Sequence, residues 1–136
     1  MSSQNLGEAD RPAGRVLVVD DDAAVGKAIT RSLRQYQVVF AQSANGALAR
    51  IQAGGQFAAI VCDLNMPGMN GMQFFAEVAR IDLTLARAIV FVTGCAETPE
   101  FRAFLEMNNN TCVLKPFLPE ELTSAVARSI RTTTHR

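Results

Sequence analysis

Four apolar runs in this chain each end on a side chain that could do chemistry. Val16–Val19 runs into Asp20-Asp21-Asp22, Ala58–Cys62 into Asp63, Ala88–Val92 into Thr93, and Cys112–Leu114 into Lys115. Clustered carboxylates repel one another and need a cation. An oxygen-only donor set, without histidine or thiol, suits Mg²⁺, which takes one or two carboxylates and keeps several waters. A lysine beside them is a point charge for an anionic oxygen. A threonine hydroxyl can donate a hydrogen bond to the same oxygen. Together the parts fit transfer of a phosphoryl group onto a carboxylate, with Asp63 as nucleophile. The condition is that distant segments bring them to one place.

The intervening sequence supplies a means. Val16–Val19 is a short β-branched run, suited to a strand covered on both faces. Val25, Ile29 and Leu33 then recur every four residues, the stripe of an amphipathic helix. Val38-Val39-Phe40 reads as a second strand. Ser43 caps a second helix with Ala44, Ala47, Leu48 and Ile51 on its inner face, ending at Gly54-Gly55. The third strand, Ala58–Cys62, leads through Asp63 into Pro67, Gly68, Asn70 and Gly71, which break regular structure. Phe74, Phe75 and Val78 mark a third helix from about Gly71 to Arg80. Ala88–Val92 is the fourth strand. Thr98 and Pro99 open a fourth helix with Phe101, Phe104 and Leu105 inward, and Asn108-Asn109-Asn110 closes it. Cys112–Leu114 is the fifth strand, and a last helix from Pro119 carries Leu122, Val126 and Ile130. Strand and helix alternate five times, which implies a parallel sheet with helices on both faces and right-handed crossovers. In such a sheet the strand ends share one edge, where ligands bind.

Composition narrows the classes of function. The 136 residues suit one domain, 49% hydrophobic and 19% charged, with zero net charge. No global field attracts nucleic acid or an anionic membrane. No apolar run approaches a membrane span and no signal-peptide core is visible. Cys62, Cys95 and Cys112 lack metal-ligand spacing and read as reduced packing residues, which points to the cytoplasm. His135 is the one histidine, one residue from the end, so histidine triads and histidine metal clusters are set aside. Residues 1–14 read as a polar flexible lead, 15–132 as the folded domain and 133–136 as a disordered tail. Met66, Met69 and Met72 suit a mobile surface, with simple gap filling the alternative for Met66 and Met72.

The ordered set Val-Val-Asp20-Asp21-Asp22, Asp63-Leu-Asn-Met-Pro-Gly, Thr93-Gly94 and Lys115-Pro116-Phe117 resembles the receiver domain of bacterial two-component response regulators. The resemblance implies a flavodoxin-like doubly wound (βα)5 fold with strand order 2-1-3-4-5. It implies Asp63 as acceptor of a phosphoryl group from a phosphohistidine on a sensor histidine kinase or histidine phosphotransfer protein. Asp20, Asp21, Asp63 and the backbone carbonyl of Asn65 would hold Mg²⁺. Thr93 would move toward the phosphoryl group, Lys115 would pair with it, and the Lys115-Pro116 bond would be cis. Asn65 and Cys95 fall at the family's variable positions that tune hydrolysis. A homodimer through the fourth helix and fifth strand is an expected association, and direct contact with nucleic acid or membrane is not. The segment from Ala88 to Leu105 is also similar to receivers fused to hybrid sensor kinases.

One position departs from the pattern. The family usually has an aromatic residue three before the lysine, where this chain has Cys112, so a shift of Thr93 cannot couple to a ring there. Two other functions use the same residues. Asp20 and Asp22 have the Asp-x-Asp spacing of aspartate-nucleophile phosphatases, although the chain offers no cap domain. A pseudo-receiver that binds partners without turning over phosphate would also fit Cys112. Read singly, Asp20-Asp21-Asp22 is an acidic helix start, Asp63 a turn aspartate and Lys115 a surface charge.

Overall fold

The computed structural model describes residues 14–94 and 98–134, with side chains through residue 130. Five parallel strands form one sheet: β1 (Arg15–Val19), β2 (Gln37–Ala41), β3 (Ala59–Asp63), β4 (Ile89–Thr93) and β5 (Thr111–Leu114). Their spatial order is β2-β1-β3-β4-β5, so the doubly wound expectation holds. The helices are α1 (Ala23–Ser32), α2 (Ala44–Gln52), α3 (Gly71–Ile81), α4 (Leu83–Arg87), α5 (Pro99–Asn108) and α6 (Pro119–Thr134).

The short α4 has no counterpart in the sequence reading. Five residues are too few to show a helical period. Asp82 creates it: this residue ends α3 and its Oδ1 accepts the Leu85 N–H at 3.1 Å, capping the next helix. Helix α6 runs to Thr134, two residues past the expected end of the domain. The expected N-terminal lead, apart from Gly14, lies outside the described residues, as do Cys95 and His135.

Local chemistry explains the other helix ends. Asn70 and Gln73 form a reciprocal capping box at α3, at 2.8 and 2.9 Å. Thr98 Oγ1 accepts the Phe101 N–H, and Pro99 occupies the first turn of α5 where no amide is needed. Asn109 closes that helix in the left-handed region, at φ 62°. Gly68, at φ 84°, makes the turn beyond β3. Gly26 lets α1 lie directly on the Phe40 ring, where any Cβ would collide.

Two apolar layers sandwich the sheet. Val16, Val18, Val61, Val90, Val92 and Val113 pack against Ile29 of α1, Leu33 at its C-cap, and Leu122, Ala125 and Val126 of α6. On the other side Leu17, Ile60, Cys62, Ile89 and Phe91 meet α2, α3, α4 and the Phe101 ring of α5. Each fully buried Val, Leu or Phe stabilises the fold by roughly 1.5–3 kcal/mol relative to exposure. Cys62 is wholly buried, as a packing role requires, and Cys112 is half-buried against the second layer. Met66 is buried, while Met69 and Met72 pack partly against the same layer, so they fill gaps.

Candidate functional site

The carboxyl ends of β1, β3, β4 and β5 lie side by side. Val19 is level with Cys62, Asp63 with Val92, and Thr93 with Leu114. The residues just beyond these positions therefore face one crevice. Backbone bonds continue the sheet past the strand ends: Asp20 N–H to Ala41 O at 3.2 Å, Leu64 N–H to Val92 O at 2.9 Å and Lys115 N–H to Thr93 O at 2.8 Å. These bonds fix the chain at the points from which the functional side chains project.

Asp20, Asp21 and Asp63 converge, each offering a carboxylate oxygen within 4.8 Å of the others. Lys115 Nζ lies 3.6 Å from Asp63 Oδ1, which also accepts the Asn65 N–H at 3.4 Å. Asp20 and Asp63 are buried, Asp21 and Asn65 are exposed, and Lys115 keeps a quarter of its side chain in solvent. The crevice is thus open on one side and dry at its base. Thr93 is fully buried at the end of β4 and borders a cavity that Asn65 also lines. The Lys115-Pro116 bond is cis, as expected.

Asp22, the third aspartate of the run, does not join the group. Its Oδ1 accepts the N–H groups of Ala24 at 2.9 Å and Val25 at 3.3 Å, making it the N-cap of α1. The acidic-helix-start reading is right for this residue alone. The Asp-x-Asp pair of a phosphatase does not form, because Asp20 points to Asp63 and Asp22 to the helix.

Burial dominates the electrostatics. Desolvation raises the pKa of Asp63, with the Lys115 ammonium the largest opposing influence. Desolvation also raises Asp20, against a hydrogen bond from the Asp22 N–H at 2.8 Å, and the Asp63 charge adds to the rise. Burial pushes the Cys62 thiol well up, so it stays protonated, donating to Asp63 O at 3.2 Å. Asp20 Oδ2 is buried and has no hydrogen-bond partner. A buried carboxylate oxygen without a partner, on a residue grouped with two other carboxylates, is a strong cation ligand and costly without one. The donor set, all oxygen, fits Mg²⁺.

Sequence reasoning missed Asn110, which it took only as part of a helix end. Its side-chain NH₂ bridges Ala86 O at 3.1 Å and Ile89 O at 2.8 Å, tying the start of β5 to the start of β4. A buried amide in an asparagine run looks the same as an exposed one in sequence.

A family model described as the response regulator receiver domain matches residues 16–127. The chain is 32% identical over 117 residues to the two-component response regulator ARR14 of Arabidopsis thaliana, covering 82% of this chain and 30% of that protein. It is 33% identical over 119 residues to the DNA-binding response regulator MtrA of Mycolicibacterium paratuberculosis, covering 86% and 51%. It therefore spans about half or less of these curated relatives. Among solved structures, the chemotaxis protein CheY4 of Vibrio cholerae superposes with a TM-score of 0.73 at 29% identity, covering 85% of this chain and 97% of that one.

Proposed function

Because the chain belongs to the response regulator receiver domain family of two-component systems, we propose that Asp63 accepts a phosphoryl group from a phosphohistidine and that the acyl phosphate alters protein contacts. One observation carries this reading: Lys115 Nζ stands 3.6 Å from Asp63 Oδ1 in a crevice shared with Asp20 and Asp21. In the transfer a carboxylate oxygen of Asp63 bonds to phosphorus. The phosphorus–nitrogen bond of the donor breaks, and its electron pair returns to the imidazole. Lys115 donates to a phosphoryl oxygen and holds the group in line. Thr93 donates a hydrogen bond from its hydroxyl to another phosphoryl oxygen. Water later cleaves the acyl phosphate, releasing phosphate and restoring the carboxylate.

Asp20, Asp21, Asp63 and the Asn65 carbonyl would hold Mg²⁺, which supplies neutralisation of charge on the transferred group. The protein turns over only its own phosphoryl group, and so is a phospho-acceptor rather than an enzyme on outside substrates. The donor is a sensor histidine kinase or histidine phosphotransfer protein. Exposed Met107 on α5 and Leu114 on β5 support a homodimer through that face. Zero net charge favours protein partners over nucleic acid. No helix among the described residues is long and apolar enough to cross a membrane, and the reading places the domain in the cytoplasm.

Incubation with Mg²⁺ and acetyl phosphate should raise the intact mass by one phosphoryl group, and Asp63→Asn should abolish the gain. A gain that survives the substitution refutes Asp63 as the acceptor. No gain in either protein brings forward the pseudo-receiver.

A further inference from the structure

Two neighbouring acids at the entry to α1 go to different work. Asp21 joins the crevice and Asp22 caps the helix, so the seat of the first turn decides the make-up of the acid cluster. Gly26 closes that turn, its N–H donating to Asp22 O at 2.9 Å. The Asp22 N–H in turn donates to Asp20 Oδ1 at 2.8 Å. Glycine inside a helix is disfavoured relative to alanine, so a packing reason is expected for it. A Cβ at residue 26 would collide with Cε1 and Cζ of the Phe40 ring. Phe40 is level with Val18 on β1, two residues before Asp20, and its half-buried ring packs on the valine layer. Helix backbone and ring therefore touch with nothing between them. From that contact two hydrogen bonds lead to Asp20, whose Oδ2 is buried without a partner.

We propose that the contact of Gly26 with Phe40 is a spacer that positions the Asp20 and Asp21 carboxylates for a divalent cation. The proposal rests on the Mg²⁺ reading of the acid cluster. The contact sets how near the first turn of α1 lies to the sheet. That distance places the backbone of Asp22, and its N–H fixes the rotation of the Asp20 carboxylate. One oxygen of Asp20 is then held by the chain and the other is left for a cation. A thicker contact lifts the turn and loosens the bond from Asp22 to Asp20. A thinner one lets the turn sink. Either change spoils the common aim of the oxygens. Gly26 and Phe40 do not touch the ion themselves. Both are positioning residues, and groups that orient a metal's ligands set its affinity from outside the ligand set.

The test is a complementary size swap in the full chain. It reads the Mg²⁺ dissociation constant by calorimetry, on protein that circular dichroism shows to be folded. Gly26→Ala should weaken Mg²⁺ binding by about tenfold. Phe40→Leu removes the ring carbons at the contact and should weaken it by a smaller factor. The double variant puts a methyl group where those carbons were, and should bind Mg²⁺ nearly as the unsubstituted chain does. Such recovery is a coupling between neighbours that independent losses do not produce. Ile29→Val, on the same helix, should lower stability and leave the Mg²⁺ constant in place. An unchanged constant in Gly26→Ala makes the contact merely structural and overturns the proposal. Losses that add in the double variant overturn it too. Should Gly26→Ala not fold, the double variant is set against Phe40→Leu: tighter binding in the double supports the proposal, and equal or weaker binding overturns it. An unsubstituted chain that binds no Mg²⁺ removes the cation reading, and this proposal with it.

Discussion

The two faces of the sheet are built from different materials. The face under α1 and α6 is nearly all valine on the strands, and valine has few accessible rotamers. The face under α2, α3, α4 and α5 holds Phe74, Phe75, Phe91, Phe101 and Phe104, rings that meet mostly edge to face. In strand alternation Asp20 follows Val16 and Val18, and Lys115 follows Val113. Thr93 instead follows Ile89 and Phe91. The groups that must hold still for chemistry stand on the stiff face. Thr93, whose hydroxyl the proposed transfer would engage, stands on the face of rings.

Stability measurements can break this contrast. Phe74→Ala should cost ~3–5 kcal/mol and Val61→Ala about 2 kcal/mol in urea unfolding. The valine thus costs more per carbon removed. Equal losses per carbon would show the two faces to be equally unyielding.

A kinetic measurement sharpens the claim for the stiff face. Lys115→Met should slow phosphoryl uptake from acetyl phosphate by roughly 100-fold, the usual effect of removing one aligned charge donor. Uptake within a few-fold of the unsubstituted protein would remove Lys115 from the chemistry.

The smallest expected effect has the opposite sign. Asp20 has its pKa raised by burial in the native state. The native protein therefore binds that proton more tightly than the unfolded chain, and the stability this confers is lost as pH rises through the native pKa. In EDTA at neutral pH, Asp20→Asn should be the more stable protein by ~1 kcal/mol. The advantage should vanish below the ordinary carboxylate pKa of about 3.9. Mg²⁺ should stabilise the unsubstituted protein more than the variant. A variant no more stable at neutral pH without metal would show that Asp20 is not strained by its burial.

Much of this was legible beforehand, because strand ends in a parallel sheet share an edge. That rule took Asp20, Asp21, Asp63, Thr93 and Lys115 from scattered positions to one crevice. It could not separate Asp21 from Asp22, since only the entry angle of α1 decides which acid faces the crevice and which caps the helix. It could not show α4, whose signal is a single aspartate serving two helices. Nor could it show that Phe101 and Phe104 of α5 meet the Phe91 ring of β4, because a helical stripe of phenylalanine reads as core whatever it touches.

Asn110 bears on how well the amine of Lys115 can be aimed. The outermost strand is four residues long, paired on one side only, and ends at that lysine. Slippage by a single residue would send Val113 outward and turn every neighbour to the wrong side. The bridge from Asn110 to Ala86 and Ile89 anchors the strand at its opposite end. Aim at the crevice is therefore set by a neutral amide that never approaches a phosphorus atom.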